Sequence, residues 1–259
     1  GKWTRNSSMT PSNDDVIFVK DLEKRFGDFV AVNKVGFSVK KGEIFGFLGS
    51  NGSGKSTTIR MLCGIITPTS GQGWVAGHDI VTEAEEVKHS IGYMSQKFSL
   101  YEDLTPLENI RFYLGMYSVP QDRWGERMKW VLELARLQEM KDRLTRDLPQ
   151  GWRQRLALGC ALLHKPDILF LDEPTSGVDP LTRRHFWEFI RELAGQGITI
   201  FVTTHYMDEA LNCGRIVMIN LGSIVAQGSP SEIIAQACPG KPGAGLNDAF
   251  ISLMSRRVP

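Results

Sequence analysis

Residues 49–57 read Gly49-Ser50-Asn51-Gly52-Ser53-Gly54-Lys55-Ser56-Thr57, which fits the phosphate-binding pattern G-x-x-x-x-G-K-[ST] at every fixed position. The apolar run Ile44-Phe45-Gly46-Phe47-Leu48 precedes it, and a helical stretch from Thr57 to Leu62 follows. Strand, glycine loop and helix together turn the pattern into a mechanism. The glycines let backbone N–H groups curl around phosphate oxygens, and the helix N-terminus adds a positive partial charge. Lys55 is then placed to reach the β- and γ-phosphates, and the Ser56 hydroxyl to ligate Mg²⁺. The loop implies a site for a nucleoside triphosphate.

Working outward, short β-type runs such as Val16-Ile17-Phe18-Val19 and Val35-Gly36-Phe37-Ser38-Val39 alternate with charged turns, and Gly73-Trp74-Val75-Ala76 adds another. They read as an antiparallel layer flanking the nucleotide. Between about Glu102 and Arg146 the period becomes helical: Leu107, Ile110, Leu114 and then Met128, Val131, Leu132, Ala135 recur every three or four residues. Pro106 and Pro120 punctuate this segment as helix starts or stops. Two almost unbroken apolar runs follow, Ile168-Leu169-Phe170-Leu171 and Ile198-Thr199-Ile200-Phe201-Val202. Such runs suit parallel strands buried on both faces, with the amphipathic segment Arg183–Ala194 as the crossover helix. The expected fold is α/β with a helical insertion. No internal repeat or low-complexity tract appears.

Composition narrows the partners. Thirty Lys+Arg against twenty-nine Asp+Glu give a formal charge of +1, so no basic bias points to nucleic acid or anionic lipid. Cys63, Cys160, Cys213 and Cys238 lie far apart with no C-x-x-C spacing, and read as free thiols of a reducing compartment. No stretch approaches the roughly 18–20 apolar residues of a membrane span, so the chain reads as soluble. Residues 1–13 are polar and aperiodic and begin without Met, as in a remnant or an interdomain linker. The expected organisation is that linker, a nucleotide-binding ATPase domain over 14–228 with a helical subdomain inserted at 97–147, and a C-terminal extension over 229–259.

A second half of the active site lies at the end of the first apolar run, where Asp172 and Glu173 stand side by side. A carboxylate at that strand tip is placed to hold Mg²⁺ through water. Glu173, one residue beyond, is placed to orient or deprotonate an attacking water.

Leu171-Asp172-Glu173-Pro174-Thr175-Ser176-Gly177-Val178-Asp179-Pro180 and then Thr203-Thr204-His205 resemble the ATP-binding-cassette (ABC) family. The similarity runs from about Val16 to Gly228. It implies an α/β P-loop NTPase (RecA-like) core with an antiparallel β subdomain and an inserted α-helical subdomain, using ATP and Mg²⁺. By the same resemblance Gln96 in Tyr93-Met94-Ser95-Gln96 touches Mg²⁺ and faces a transmembrane partner. Phe26 stacks on adenine, Ser176–Asp179 form the loop that meets a second cassette, and His205 senses the γ-phosphate.

One station departs from the family. Its Leu-Ser-Gly-Gly-Gln signature, which caps the γ-phosphate held by the other cassette, is replaced by Leu148-Pro149-Gln150-Gly151-Trp152. Pro149 has neither hydroxyl nor N–H, and Gln150 brings a side chain where backbone must approach closely. Gly151 keeps one small position. Intact catalytic stations beside an altered signature imply an asymmetric pair, and the sequence most resembles the second cassette of tandem-cassette ATPases serving drug-type ABC-2 exporters. The implied partners are a second cassette and a transmembrane permease at the cytoplasmic face of a membrane, with the apolar cluster Phe98, Leu100, Tyr101 and Leu104 as the docking surface. The alternative is a non-transport cassette acting as a switch on a ribosome or other macromolecule, against which Ser176-Gly177-Val178-Asp179 argues. A generic P-loop kinase or GTPase is the third possibility, and no guanine-specific Asn-Lys-x-Asp segment is present.

Overall fold

Apolar residues on alternate positions of 15–40 build a long hairpin. In β1 (Asp15–Phe26) Ile17, Val19 and Leu22 point inward, and in β2 (Phe29–Lys40) Val35, Phe37 and Val39 do the same. The computed structural model describes residues 12–97 and 99–255. β4 (Ser70–Val75) adds to the other edge of β1, followed by β5 (His78–Asp79), giving an antiparallel sheet of order β2-β1-β4-β5. This is the antiparallel layer that the sequence pattern implied.

The second sheet has the order β10-β9-β3-β8-β7-β6, built from β3 (Ile44–Leu48), β6 (Ile91–Met94), β7 (Ile168–Asp172), β8 (Thr199–Thr204), β9 (Arg215–Asn220) and β10 (Ser223–Gly228). β9 through β6 run parallel, and β10 returns antiparallel on β9. Every residue of β7 and β8 is buried, because both faces of the sheet are covered. On one face α1 (Lys55–Leu62) lies between the sheets, where Ile59, Met61 and Leu62 pack with Phe37, Phe45, Phe47 and Phe201. α2 (Ala84–Ser90) leads into β6.

The helical layer contains α3 (Pro106–Met116) and α4 (Trp124–Leu134). Thr105 and Glu108 form a reciprocal cap at the start of α3, with Pro106 in the first turn, and Pro120 precedes the short 3-10 turn Gln121–Arg123. The expected boundary at residue 147 falls short. Ile110, Leu114, Val131 and Ala135 close their cluster only against Leu156, Cys160 and Leu163, so α5 (Gln150–Ala161) belongs to this layer too. Two short helices without α5 would leave their apolar stripes uncovered.

α6 (Pro180–Gly195) is the crossover helix between β7 and β8, and it covers the second face of the sheet together with α7 (Pro230–Ala237) and α8 (Leu246–Ser255). Ile233, Ala237, Leu246, Ala249 and Leu253 join the same core as Leu169 and Val202. The segment 229–255 is therefore part of the main core, where an appended extension was expected. Cys63, Cys160 and Cys213 are buried free thiols and Cys238 is a half-buried one. Among the described residues no helix is long and apolar enough to cross a membrane.

Candidate active site

The segments marked by the sequence leave the carboxyl ends of neighbouring parallel strands, where open α/β sheets bind ligands. β3 runs into the loop at Gly49–Gly54, β7 into Glu173, β8 into His205 and β6 into Gln96. In the loop, Ser50, Asn51 and Gly52 face solvent, while Ser53 turns inward and its carbonyl accepts from the Gly222 amide at 2.9 Å. Gly54 adopts φ 107 with Ala31 O only 2.5 Å from where a Cβ would stand. That backbone favours glycine and turns the chain straight into α1. The helix starts at Lys55, two residues earlier than the pattern suggested; Thr57 lies in its first turn, half-buried like Ser56.

Lys55 is 3% exposed and its ammonium has three neighbours: Gly49 O at 2.9 Å, Ser50 O at 3.0 Å and Glu173 Oε1 at 3.0 Å. An ammonium has three protons, so all are committed. The Glu173 carboxylate, itself 7% exposed, also meets His205 Nδ1 at 3.1 Å and Gln96 Nε2 at 3.4 Å. One carboxylate thus gathers residues from the phosphate loop, β6 and β8. Its backbone sits at φ 46, a left-handed conformation that costs a non-glycine residue about 1–3 kcal/mol. The Glu173 amide donates to Thr203 Oγ1 at 2.9 Å and Thr203 O at 3.2 Å, which fixes that turn.

Asp172 accepts from Ser56 Oγ at 3.1 Å and from Thr203 Oγ1 at 2.8 Å. Burial pushes its carboxyl up from the usual range, and the two hydroxyls pull it partly back. Ser56 and Asp172 thus offer hard oxygen donors beside each other, the set that suits Mg²⁺. Burial of the Asp172 carboxylate is a cost that a divalent cation there would remove. Among the described residues no cluster of three or more His, Cys, Asp and Glu side chains forms a metal cage, so a cation there would need phosphate or water oxygens as well.

The remaining predicted residues lie outside this cluster. Phe26 stands at the β1–β2 hairpin, 52% exposed, with Lys24 Nζ 5.1 Å from its ring centre. Leu148 is buried, so its side chain is not free to meet a partner. Pro149 is the N-cap residue of α5 and supplies no side-chain cap. Gly151 lies so close to α6 that a Cβ would be 2.8 Å from Thr182 Cγ2, and half-buried Trp152 carries the Arg155 guanidinium 5.6 Å away. Asp179 is exposed and caps α6, accepting from the amides of Leu181 at 3.1 Å and Thr182 at 3.0 Å. Thr203 and Gln154 were not anticipated; Gln154 Nε2 donates to Pro174 O at 2.6 Å. The only signal for Thr203 was a hydroxyl ending an apolar strand beside Asp172.

The family model described as "ABC transporter" matches residues 32–176. The chain belongs to the ABC transporter family. A shorter match, over residues 146–208, is to an AAA domain described as a putative AbiEii toxin of a type IV toxin–antitoxin system. The probable multidrug ABC transporter ATP-binding protein YbhF of Escherichia coli K12 is 48% identical over 242 residues, 93% of this chain and 42% of that protein. The chain therefore spans less than half of YbhF. The Nod factor export ATP-binding protein I of Cupriavidus metallidurans is 38% identical over 220 residues, 85% of this chain and 73% of that one. Among solved structures, an ATP-binding subunit of an ABC transporter superposes with a TM-score of 0.81 at 28% identity, covering 92% of this chain and 99% of that one. The MJ0796 cassette, a dimer in a post-hydrolysis state bound to ADP and Pi, gives 0.73 at 26% identity, over 82% and 98%. The fold is that of an ABC ATPase cassette.

Lys55→Ala removes the loop's cation, so ATP affinity should fall in a fluorescent-nucleotide titration. Glu173→Gln removes the charge that competes for Lys55 and the expected base together. ATP should then bind at least as tightly as to the wild type while turnover drops by roughly 10²–10⁴-fold; equal turnover would remove Glu173 from that role. Because Phe26 is exposed, Phe26→Ala should change unfolding stability by less than about 0.5 kcal/mol. It should weaken ATP binding by about 1–2 kcal/mol, the scale of a base–aromatic stack, and an unchanged affinity would leave Phe26 without a nucleotide role.

Proposed function

We propose that this cassette couples ATP hydrolysis to a membrane exporter of the drug-export, ABC-2 type, working opposite a second cassette. The observation that carries the reading is the Glu173 carboxylate, held between Lys55 and His205. Arriving phosphates compete with Glu173 for the Lys55 ammonium, since that ammonium has no spare proton to donate. A carboxylate released from its cation is a better base, and Glu173 accepts a proton from the attacking water. His205 and Gln96 orient that carboxylate through the contacts they already make to it. Ser56 and Asp172 would hold Mg²⁺, with Gln96 as a further donor, and the ion would neutralise charge on the phosphates when bound. Phe26 takes the adenine face.

The pairing with a second cassette is supported by the altered stretch Leu148–Trp152 and by the dimeric form of the MJ0796 cassette, to which this chain is similar. The arrangement is that of the second cassette in a tandem chain: its own phosphate loop meets a partner's intact signature, and its Gly151, Trp152 and Asp179 face the partner's poorer site. Export is favoured over a ribosomal or other non-transport switch by relatives named for multidrug, Nod factor and linearmycin functions.

A permease would dock on the helical layer near Gln96. Tyr101 is exposed there and meets Phe112 edge-on at 4.6 Å, with exposed Met116 one turn further along α3. Of the other expected docking residues, Leu100 and Leu104 are half-buried and Phe98 lies outside the described residues. Tyr101→Glu with Phe112→Glu should abolish co-purification with a co-expressed ABC-2-type permease and leave ATP affinity unchanged. Retained association would move the docking surface elsewhere.

In a homodimer both sites would face Pro149 and Gln150, so the chain alone should turn over slowly. Pro149→Ser with Gln150→Gly restores a hydroxyl and a backbone donor, and oxyanion-type donors are worth about 10²–10³-fold in rate. The double variant should therefore hydrolyse ATP faster than the wild type in a concentration series. Brisk, concentration-dependent turnover by the wild type alone would show that the signature is not impaired.

A further inference from the structure

Glu209 is 2% exposed, on the short 3-10 turn Glu209–Asn212 that follows β8, and nothing in the nucleotide chemistry above uses it. Oε1 accepts from Thr175 Oγ1 at 2.5 Å and lies 3.4 Å from Arg183 Nε; Oε2 accepts from Thr204 Oγ1 at 2.7 Å. Thr175 stands two residues beyond Glu173, and Thr204 immediately precedes His205. A buried carboxylate requires such partners, and here they come from the two loops that carry the reacting groups.

The same partners extend to both sides of the imidazole. Thr204 Oγ1 also accepts the Tyr206 amide at 3.0 Å, which closes the backbone turn around His205. The Tyr206 ring lies 4.1 Å from the His205 ring, and the Arg183 guanidinium covers Tyr206 at 4.0 Å. Arg183 also reaches Val178 O at 3.4 Å, next to Asp179. Its Nε–H is not aligned on Glu209, so the attraction between the two is one of charge.

We propose that Glu209 is a positioning residue for hydrolysis, holding the Glu173-bearing and His205-bearing loops at a fixed separation with Arg183 and Tyr206 completing the clamp. This rests on the ATPase reading of the site. Glu209 touches no reacting atom; it sets the 3.1 Å approach of His205 to Glu173 through Thr175 and Thr204. The phosphate loop lies outside the clamp, so binding and chemistry should separate.

The test uses the full chain as wild type, Glu209→Ala, Glu209→Gln and Thr204→Val. Three readouts are taken: long-range ¹H–¹⁵N spectra of the imidazoles, affinity for a fluorescent ATP analogue, and single-turnover hydrolysis of MgATP with protein in excess. Glu209→Ala should move the His205 ring resonances and leave those of His78, His89, His164 and His185 in place. It should slow hydrolysis by roughly 10–10²-fold, the penalty of small misplacement, with affinity changed less than about twofold. Glu209→Gln keeps an acceptor for Thr175 but not the charge facing Arg183, and should fall between Glu209→Ala and wild type. Thr204→Val is nearly isosteric and keeps the charge, so it reports the same slowing if Glu209→Ala does not fold. Unmoved His205 resonances and wild-type hydrolysis in Glu209→Gln and Thr204→Val would overturn the proposal. So would an ATP affinity that falls in step with the rate, which marks general loosening. A wild type that binds no ATP would instead sink the ATPase reading itself.

Discussion

The buried pair of Lys55 and Glu173 is the constraint on which the rest of the structure depends. Either charge alone at that depth would carry a desolvation penalty of several kcal/mol, so each requires the other or a substitute of equal charge. They come from strands that are not neighbours: β3 and β7 are separated by β8. The pair can form only if all three strands end level. The register provides that, with Leu48 opposite Thr204 and Asp172 opposite Thr203. A slip of one residue along β8 would turn Thr203 and its hydroxyl to the other face of the sheet. Asp172 would be left with Ser56, and the strained turn at Glu173 would lose its hydroxyl partner.

Level strand ends need a stiff sheet, and the apolar sequence of the central strands supplies one. Phe37, Phe45, Phe47 and Phe201 interlock at ring distances of 5.4–6.0 Å between the two sheets. Such close-packed rings have few alternative arrangements. α1 is wedged into the same cluster, so the helix that begins with Lys55 is fixed by core packing as well as by the loop. The strand ends that carry Lys55, Glu173 and His205 thereby inherit their geometry from the packing of the core.

What was legible in the sequence was whatever local chemistry dictates. The phosphate loop, the Asp172-Glu173 strand tip and the two-faced apolar strands each announce themselves within a few residues, because glycine placement, burial and strand period are local. The helical layer reaches past the expected boundary because α5 has no single apolar stripe: Leu156 and Cys160 serve the helical layer while Leu158, Ala161 and Leu162 serve the sheet core. The segment after residue 228 lies beyond the last strand, and only the packing of α7 and α8 on the sheet shows that Ile233, Ala237, Leu246, Ala249 and Leu253 belong to its core. Thr203, Gln154 and Glu209 were silent for the same reason. The bonds to Asp172, Pro174 and Thr175 span 20 to 34 residues, which no spacing rule reports, and the five-residue bond from Thr204 to Glu209 lies in a turn outside any helix or strand period.

The double allegiance of α5 has a mechanical consequence. Its first turn carries the altered signature and abuts Thr182 of α6 through Gly151. Four residues after Gln150, Gln154 holds the carbonyl of Pro174, which directly follows Glu173. The same helix closes the core of the layer bearing the exposed Tyr101 and Phe112. A force applied to that layer therefore has two routes to the Glu173 loop: the apolar contacts that fix α5, and the Gln154 hydrogen bond at its buried side. The apolar contacts resist separation without specifying direction. The hydrogen bond is directional and loses strength within a few tenths of an ångström. Small rotations of α5 would thus be felt first at Pro174, beside the one carboxylate on which Lys55, His205 and Gln96 converge.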